Sequence, residues 1–162
     1  MKQKVLLILI LVALVFPLHG KTCETHQKNA ETLSKIENKQ PQILRAKSSK
    51  GAKVFFVNLK DGQELSNPIK IQMGSEGIAI EPAGEVKDNS GHHHLLVDLE
   101  KIPALDQSLP MNDQILHFGK AQTEAEIQLS PGKHTLQLLL AGGNHVPHDP
   151  VVKSKKITIV VK

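Results

Sequence analysis

Short runs in which apolar and polar residues alternate, with turn-forming residues between them, limit most strongly what this chain can fold into. In residues 69–73 isoleucine and methionine alternate with lysine and glutamine, and residues 121–129 show the same alternation with glutamine and glutamate. Because strand side chains point alternately to two faces, this period of two predicts sheets with one dry and one wet face. Turn-forming residues separate the runs at Asp61-Gly62, Asn67-Pro68, Asn89-Ser90-Gly91, Pro131-Gly132 and Gly142-Gly143.

The pattern predicts strands at residues 53–59, 69–74, 78–81, 93–99, 115–118, 121–129, 134–140 and 156–161. About seven to eight short strands with tight turns are typical of an all-β fold, an antiparallel β-sandwich of immunoglobulin or fibronectin-III type, and a barrel is the alternative. The chain has no tryptophan and no tyrosine. Its core must therefore be built from aliphatic side chains together with Phe55, Phe56 and Phe118.

Residues 1–20 have the pattern of a secretory signal peptide. Lys2 and Lys4 precede an apolar run over residues 5–16, and residues 17–20 supply a break before a cleavage site. The run is shorter than the roughly 20 apolar residues that cross a bilayer, and no second run follows it. The sequence therefore predicts a periplasmic or secreted protein with no transmembrane segment after signal removal.

Residues 21–51 are polar and predict a flexible spacer in front of one folded domain at residues 52–162. Cys23 is the only cysteine, which excludes an intramolecular disulfide. A cysteine soon after a signal can carry a lipid anchor, but Lys21 and Thr22 differ from the small residues that precede a lipoprotein cysteine. We therefore expect a free thiol and no lipoprotein anchor at Cys23.

Composition and motifs exclude several classes of function. The formal net charge of +4 comes from lysines spread along the whole chain, without interleaved aromatic residues, so nucleic acid is not expected as a partner. Gly119-Lys120 is followed by alanine where a phosphate-binding loop needs serine or threonine. The chain has no Gly-x-Ser-x-Gly run, and Cys23 lies outside the predicted domain. Any catalysis would have to come from a metal.

Histidines are the one concentration of chemically active side chains. Three of them, His92, His93 and His94, lead into an apolar run, and four more follow downstream at His117, His134, His145 and His148. On a strand, His92 and His94 share a face, with backbones roughly 7 Å apart, while His93 points to the opposite, apolar face. Imidazole suits zinc and copper(II), and these residues predict a metal site.

The downstream histidines leave several interpretations open. His145 and His148 flank Val146-Pro147 in a loop stiffened by prolines, and together with His92 and His94 they could complete a four-ligand shell, with His117 and His134 as alternates. Asp98 or Asp149 could add a carboxylate or orient a ligand. Other interpretations account for these histidines without a metal. They could be hydrogen-bonded residues of turns and strand ends, and His93 and His134 could occupy core positions. The cluster could also be a proton-responsive surface.

Five motifs in order resemble a known family. They are Gly91-His92-His93-His94-Leu95-Leu96, Leu116-His117-Phe118-Gly119-Lys120, Leu129-Ser130-Pro131-Gly132-Lys133-His134, His145-Val146-Pro147-His148 and Ser154-Lys155-Lys156-Ile157. Over residues 70–160 the chain is similar to a mostly bacterial family, domain of unknown function 4399. The resemblance implies an exported domain that shares the histidines at 92, 94, 117, 134, 145 and 148, and it brings no function with it. Ala121 stands where many members have glycine.

Three functions follow from these observations. The first is an exported β-sandwich that captures or delivers zinc or copper(II). The second is a structural or interaction module of the cell envelope, with an envelope protein as partner and the histidines as scaffold. The third is a metal-dependent enzyme, which would need an open metal position and a general base that no spacing selects.

Overall fold

The alternating runs form the strands of two β-sheets. The structure is a computed structural model and describes residues 43–162, in which no helix occurs, so none is long and apolar enough to cross a membrane. The predicted signal peptide and most of the predicted spacer lie outside the described residues. The nine strands are β1 Lys53–Phe56, β2 Gln63–Leu65, β3 Ile69–Glu76, β4 Ala79–Ile80, β5 Ser90–Val97, β6 Ile115–His117, β7 Glu124–Ile127, β8 Gly132–Ala141 and β9 Ile157–Val161.

The smaller sheet has the order β1-β3-β7 and is antiparallel throughout. Ile69 lies opposite Ile127, and Ile71 lies opposite Ala125. Along β3 the apolar residues Ile69, Ile71 and Met73 are buried and the intervening lysine and glutamine are exposed. The alternation in the sequence thus gives the dry and wet faces that it predicts.

The larger sheet has the order β2-β9-β8-β5-β4, and β6 also pairs with β5. Most pairs are antiparallel, but β2 with β9 and β4 with β5 are parallel. Strand β2 is not among the predicted strands, because its three residues, Gln-Glu-Leu, carry no apolar alternation. The predicted all-β sandwich class is confirmed.

The main hydrophobic core lies between the two sheets. It combines side chains of β3 and β7 with those of β5, β8 and β9, among them Ile71, Ile127, Leu95, Leu138 and Ile159. Because burial of apolar side chains is the main favourable contribution to folding, this layer determines which face of each strand is inner.

The outer face of the larger sheet is buried as well. A second apolar cluster lies there, with Leu96, Ile115, Leu139 and Ala141 from the sheet and Leu109 from the long β5–β6 connection. All eight residues of β5 are therefore buried, whereas alternation alone suggested one buried face. The physical reason is tertiary, since the connection and the segment after β8 cover the outer face.

The last part of the predicted spacer contacts the domain. Ala46 is 1% exposed. Arg45 donates a hydrogen bond from Nε to the carbonyl oxygen of Pro147 at 3.0 Å and another from its guanidinium to the carbonyl oxygen of His148. Lys47 forms an exposed ion pair with Asp149 at 2.7 Å. Residues 45–47 therefore attach to the loop that follows β8.

Candidate metal centre

Strand pairing brings three histidines together on the outer face of the larger sheet. His92 and His94 share that face of β5, and His117 on β6 lies directly opposite His94 in the antiparallel register. Directly paired residues have Cβ atoms about 4.5–5.5 Å apart. The imidazole ring centroids of the three histidines lie 4.8 Å apart for His92–His94, 4.9 Å for His92–His117 and 5.2 Å for His94–His117.

The loop after β8 adds a fourth imidazole. His145 has a φ of 65°, a left-handed conformation that is rare for residues other than glycine. Its N–H donates to the carbonyl oxygen of Gly142 at 2.9 Å, and its own carbonyl oxygen accepts from the N–H of Leu109 at 2.9 Å. These bonds hold the strained backbone so that the ring centroid lies 4.7 Å from that of His117 and 5.0 Å from that of His92. His92, His94, His117 and His145 are called the four-histidine cluster below.

The spacing of ring nitrogens suits a single small ion. The Nε2 atoms of His117 and His145 are 3.1 Å apart. One nitrogen from each of His92, His94 and His117 can be chosen so that all three lie within 4.8 Å of one another. Tetrahedral coordination at about 2.0–2.1 Å places ligand nitrogens about 3.3 Å apart, so modest ring rotations would bring the nitrogens of His92, His94 and His117 to that spacing. The ring of His145 lies farther from His94, with centroids 6.0 Å apart.

The two fully buried imidazoles of the four-histidine cluster, His92 and His94, lack hydrogen-bond partners in the described part of the chain. His92 and His94 are fully buried, and none of their four ring nitrogens has a hydrogen-bond partner within residues 43–162. An unpaired buried polar group costs about 1–3 kcal/mol, and such groups are uncommon in folded proteins. A coordinated ion would supply the missing interaction for one nitrogen of each ring.

The same burial keeps these imidazoles neutral. Desolvation, followed by the neighbouring imidazoles, lowers the pKa of His92 to about 4 and that of His94 to about 2. The pKa of His117 is also lowered, first by desolvation and then by His145. Neutral imidazole is the form that coordinates a metal, so at neutral pH protons compete little for these nitrogens.

Two glycines create the space that the cluster needs. A Cβ added at Gly119 would lie 2.2 Å from Cε1 and 2.3 Å from Nε2 of His117. A Cβ at Gly91 would lie 2.2 Å from the carbonyl oxygen of Ala141 and 2.7 Å from Cε1 of His148. Gly91 therefore permits close packing of β5 on β8, and Gly119 permits the ring position of His117. Both glycines belong to histidine-containing sequence motifs, Gly91 directly before His92 and Gly119 two residues after His117.

His148 lies near the cluster but is engaged elsewhere. It is fully buried, and its Nε2–H donates to the carbonyl oxygen of Ser90 at 2.9 Å. Its Nδ1 is 3.4 Å from the carbonyl oxygen of Leu140. The two histidines predicted to bind one ion together therefore point to different places. The ring of His145 faces the cluster, whereas the ring of His148 attaches the loop to β5 through Ser90.

His134 lies apart from the cluster. It is five residues along β8 from Leu139, the partner of His94, which is roughly 17 Å of strand, and it is on the opposite face. Its Nδ1–H donates to Asp98 at 2.7 Å and its Nε2–H to the carbonyl oxygen of Ser130 at 2.9 Å. The carboxylate of Asp98 and the carbonyl oxygen of Ser130 are acceptors, so these two bonds favour the doubly protonated imidazolium. The hydroxyl oxygen of Ser130 also lies 3.5 Å from Nε2.

The two candidate carboxylates are likewise engaged away from the cluster. Asp98 accepts from His134 and from the N–H of Thr135 at 2.7 Å, and Asp149 pairs with Lys47. His93 is fully buried on the inner face, and among the residues that the structure describes neither of its ring nitrogens has a hydrogen-bond partner. Desolvation lowers the pKa of His93 to about 4. The structure thus places His92, His94, His117 and His145 together, and His93, His134 and His148 elsewhere.

The His134–Asp98 pair gives stability a definite pH dependence. Hydrogen bonding to Asp98 raises the pKa of His134, so its contribution is full below pH 6.5 and is lost as pH rises through the raised pKa. The pKa of Asp98 is lowered by its hydrogen bonds to Thr135 and His134, which outweigh the opposing desolvation, so its contribution is full above pH 3.8 and is lost below it. The pair stabilises the fold most between these two values.

We therefore expect His134→Gln to destabilise the protein more at pH 5.5 than at pH 9. The difference should be about 0.5–1 kcal/mol, since the pair is partly solvent-screened. Urea denaturation of wild type and variant at both pH values measures it, and subtracting the two proteins removes the acid sensitivity of the buried imidazoles. Equal destabilisation at both values would show that His134 is neutral in the folded protein.

Comparison with known proteins identifies the family. The family model for domain of unknown function DUF4399 matches residues 71–162, more than half of the chain. The chain belongs to the DUF4399 family. The match confirms the resemblance seen in the sequence motifs, and it contains all four members of the four-histidine cluster. No curated protein and no solved structure matches the chain.

Proposed function

We propose that this DUF4399 protein binds one divalent transition metal ion through the four-histidine cluster. The observation that carries the proposal is that, in the described part of the chain, no group forms a hydrogen bond with the ring nitrogens of His92 and His94. Four unpaired nitrogens at zero exposure cost free energy in the folded protein, and an ion held by both rings would offset part of that cost.

Zinc or copper(II) is the ion that the ligand set favours. All four candidate ligands are imidazoles, which suit zinc, copper(II) and nickel, whereas copper(I) is selected by thiolate and thioether sulfur. The positive φ of His145 is consistent with a residue held for binding, because strained backbone persists where surrounding structure imposes it. His117 and His145 are half-buried, so the ion would approach from their side.

Capture or delivery of the metal is favoured over catalysis. A hydrolytic metal site needs a general base beside the bound water. Asp98 and Asp149, the carboxylates that could add or orient a ligand, are held by His134 and Lys47. Glu81, which with Glu85 and Asp98 could serve as the base, pairs with Lys87 at 3.2 Å. We further propose that the protein works outside the cytoplasm, because residues 1–20 have the pattern of a cleaved signal peptide.

The second candidate function is an interaction module of the cell envelope. It is supported by the hydrogen bonds that His148 and His134 make within the fold, since these two histidines serve as scaffold. In that case the four-histidine cluster would be scaffold too, with buried water as partner.

Metal analysis separates the two functions. Protein purified without chelators or affinity tags from cells that express the full chain should contain close to one equivalent of zinc or copper. After chelator treatment it should take up one equivalent in isothermal titration and gain thermal stability, because an ion that binds only the folded state stabilises it. Protein free of metal, with no heat of binding at micromolar concentration, would favour the interaction module.

Gly119→Ala tests whether the ring position of His117 matters for binding. The added methyl group would displace the imidazole, which can rotate, so we expect metal affinity to fall about tenfold. The free energy of unfolding of the metal-free protein should change by less than about 1 kcal/mol, because the clash is with a side chain. Titration and urea denaturation measure the two effects, and unchanged affinity would exclude His117 as a ligand.

A further inference from the structure

A groove unrelated to the four-histidine cluster opens between the edges of the two sheets. Its volume is about 380 Å³, within the range of small-molecule sites. One wall is β1 and the residues after it, and the other is the segment that leads into β9. β1 belongs to the smaller sheet and β9 to the larger one. The groove is therefore a gap between the edges of the two sheets.

The floor of this groove is the main hydrophobic core. Val54 and Leu59 are core residues that line it, and Phe56 and Ile157 pack against the same core. Phe55, which also lines the groove, is 37% exposed. A flexible apolar chain placed here would extend the core toward solvent, and burial of its surface would be favourable.

The rim of the groove is positively charged. Lys53, Lys153 and Lys155 line it, and no aspartate or glutamate does. Lys153 and Lys155 form no ion pair within residues 43–162, and Lys53 makes only an exposed pair with Glu76 at 3.3 Å. Lysine places a charged ammonium at the end of an apolar stem, so these side chains can cover an alkyl chain and hold an anionic head group.

We propose that this groove binds a single-chain anionic amphiphile, of which a fatty acid is the simplest example. The alkyl chain lies between β1 and residues 153–157, and the carboxylate lies at the lysine rim. This combination of apolar floor and cationic rim selects against neutral and cationic amphiphiles of the same length. The proposal does not depend on metal binding.

Titration with dodecanoate below its micelle concentration tests the proposal on protein purified from cells that express the full chain. We expect one molecule to bind, with affinity at least tenfold lower for Lys153→Glu/Lys155→Glu. The matched control Lys101→Glu/Lys133→Glu makes the same change in net charge at exposed residues outside the groove and should bind as wild type does. Circular dichroism checks that each variant is folded.

Three results would overturn this assignment. The first is no binding of dodecanoate, and the second is equal loss of affinity in both charge-reversal variants, which would indicate a general charge effect. The third is binding to phosphatidylglycerol vesicles without binding to monomeric dodecanoate, which would make the lysine rim a membrane-surface contact. Dodecyltrimethylammonium, the cationic counterpart, should bind the wild type weakly and the Lys153→Glu/Lys155→Glu variant more strongly.

Discussion

Replacing the two fully buried imidazoles of the four-histidine cluster, in His92→Ala/His94→Ala, is expected to abolish stoichiometric metal binding. Loss of supporting groups around a metal costs about 10–100-fold in affinity, so loss of two ligands should lower it by at least about 100-fold. The β5 ladder is made by backbone groups, which the substitutions keep, so the sheet should persist. Titration with zinc and with copper(II), together with circular dichroism, measures both consequences.

His93→Leu is the matched control for that variant. His93 lies between His92 and His94 in sequence, yet its side chain is on the opposite face of β5, within the main core. We expect metal affinity to stay unchanged. Because leucine removes two unpaired buried nitrogens, the free energy of unfolding should be unchanged or higher by up to about 1–3 kcal/mol. Loss of affinity in His93→Leu equal to that in the double variant would mean that disruption of β5, and not loss of ligands, explains both.

Gly91→Ala is expected to lower the free energy of unfolding by about 3 kcal/mol, the upper end of the range for an overpacked site. The added Cβ would lie 2.2 Å from the carbonyl oxygen and 2.9 Å from the carbonyl carbon of Ala141. These are backbone atoms of β8, the strand paired with β5, so they cannot move without separating the two central strands of the sheet. Urea denaturation of the metal-free proteins measures the loss.

Gly119→Ala provides the comparison for Gly91→Ala. Both variants add one methyl group beside the cluster, but the nearest atoms to Gly119 belong to the His117 ring, which can rotate. We expect the Gly91 variant to lose stability and the Gly119 variant to lose metal affinity. If the free energy of unfolding of Gly91→Ala is within about 0.5 kcal/mol of the wild-type value, the close packing of β5 on β8 at this position is wrong.

Much of the fold could be predicted from local pattern. Eight of the nine strands lie within or overlap a predicted run, since strands with one buried face alternate every second residue. β2 was missed because it is short, polar and paired in parallel at an edge. Burial of the outer face of β5 was also missed, because it comes from a long connection whose residues carry no strand pattern.

The candidate site was predictable only in part. The placement of His92 and His94 on one face of a strand follows from strand geometry, and the structure has them there. His117 joins them through the register of β6 on β5, which no local pattern gives. The spacing of His145 and His148 suggested a chelating pair, but the left-handed backbone at His145 turns one ring to the cluster while His148 bonds to β5.

The sequence by itself determined the strand content, the shared face of His92 and His94 and membership of the DUF4399 family. These depend on properties that are local along the chain, namely the alternation of side chains and the order of short motifs. Only the tertiary structure decided that His117 and His145 lie beside His92 and His94, and that His134 and His148 form hydrogen bonds within the fold. Contacts between residues far apart in sequence depend on strand register and loop conformation, which are set by packing of the whole domain.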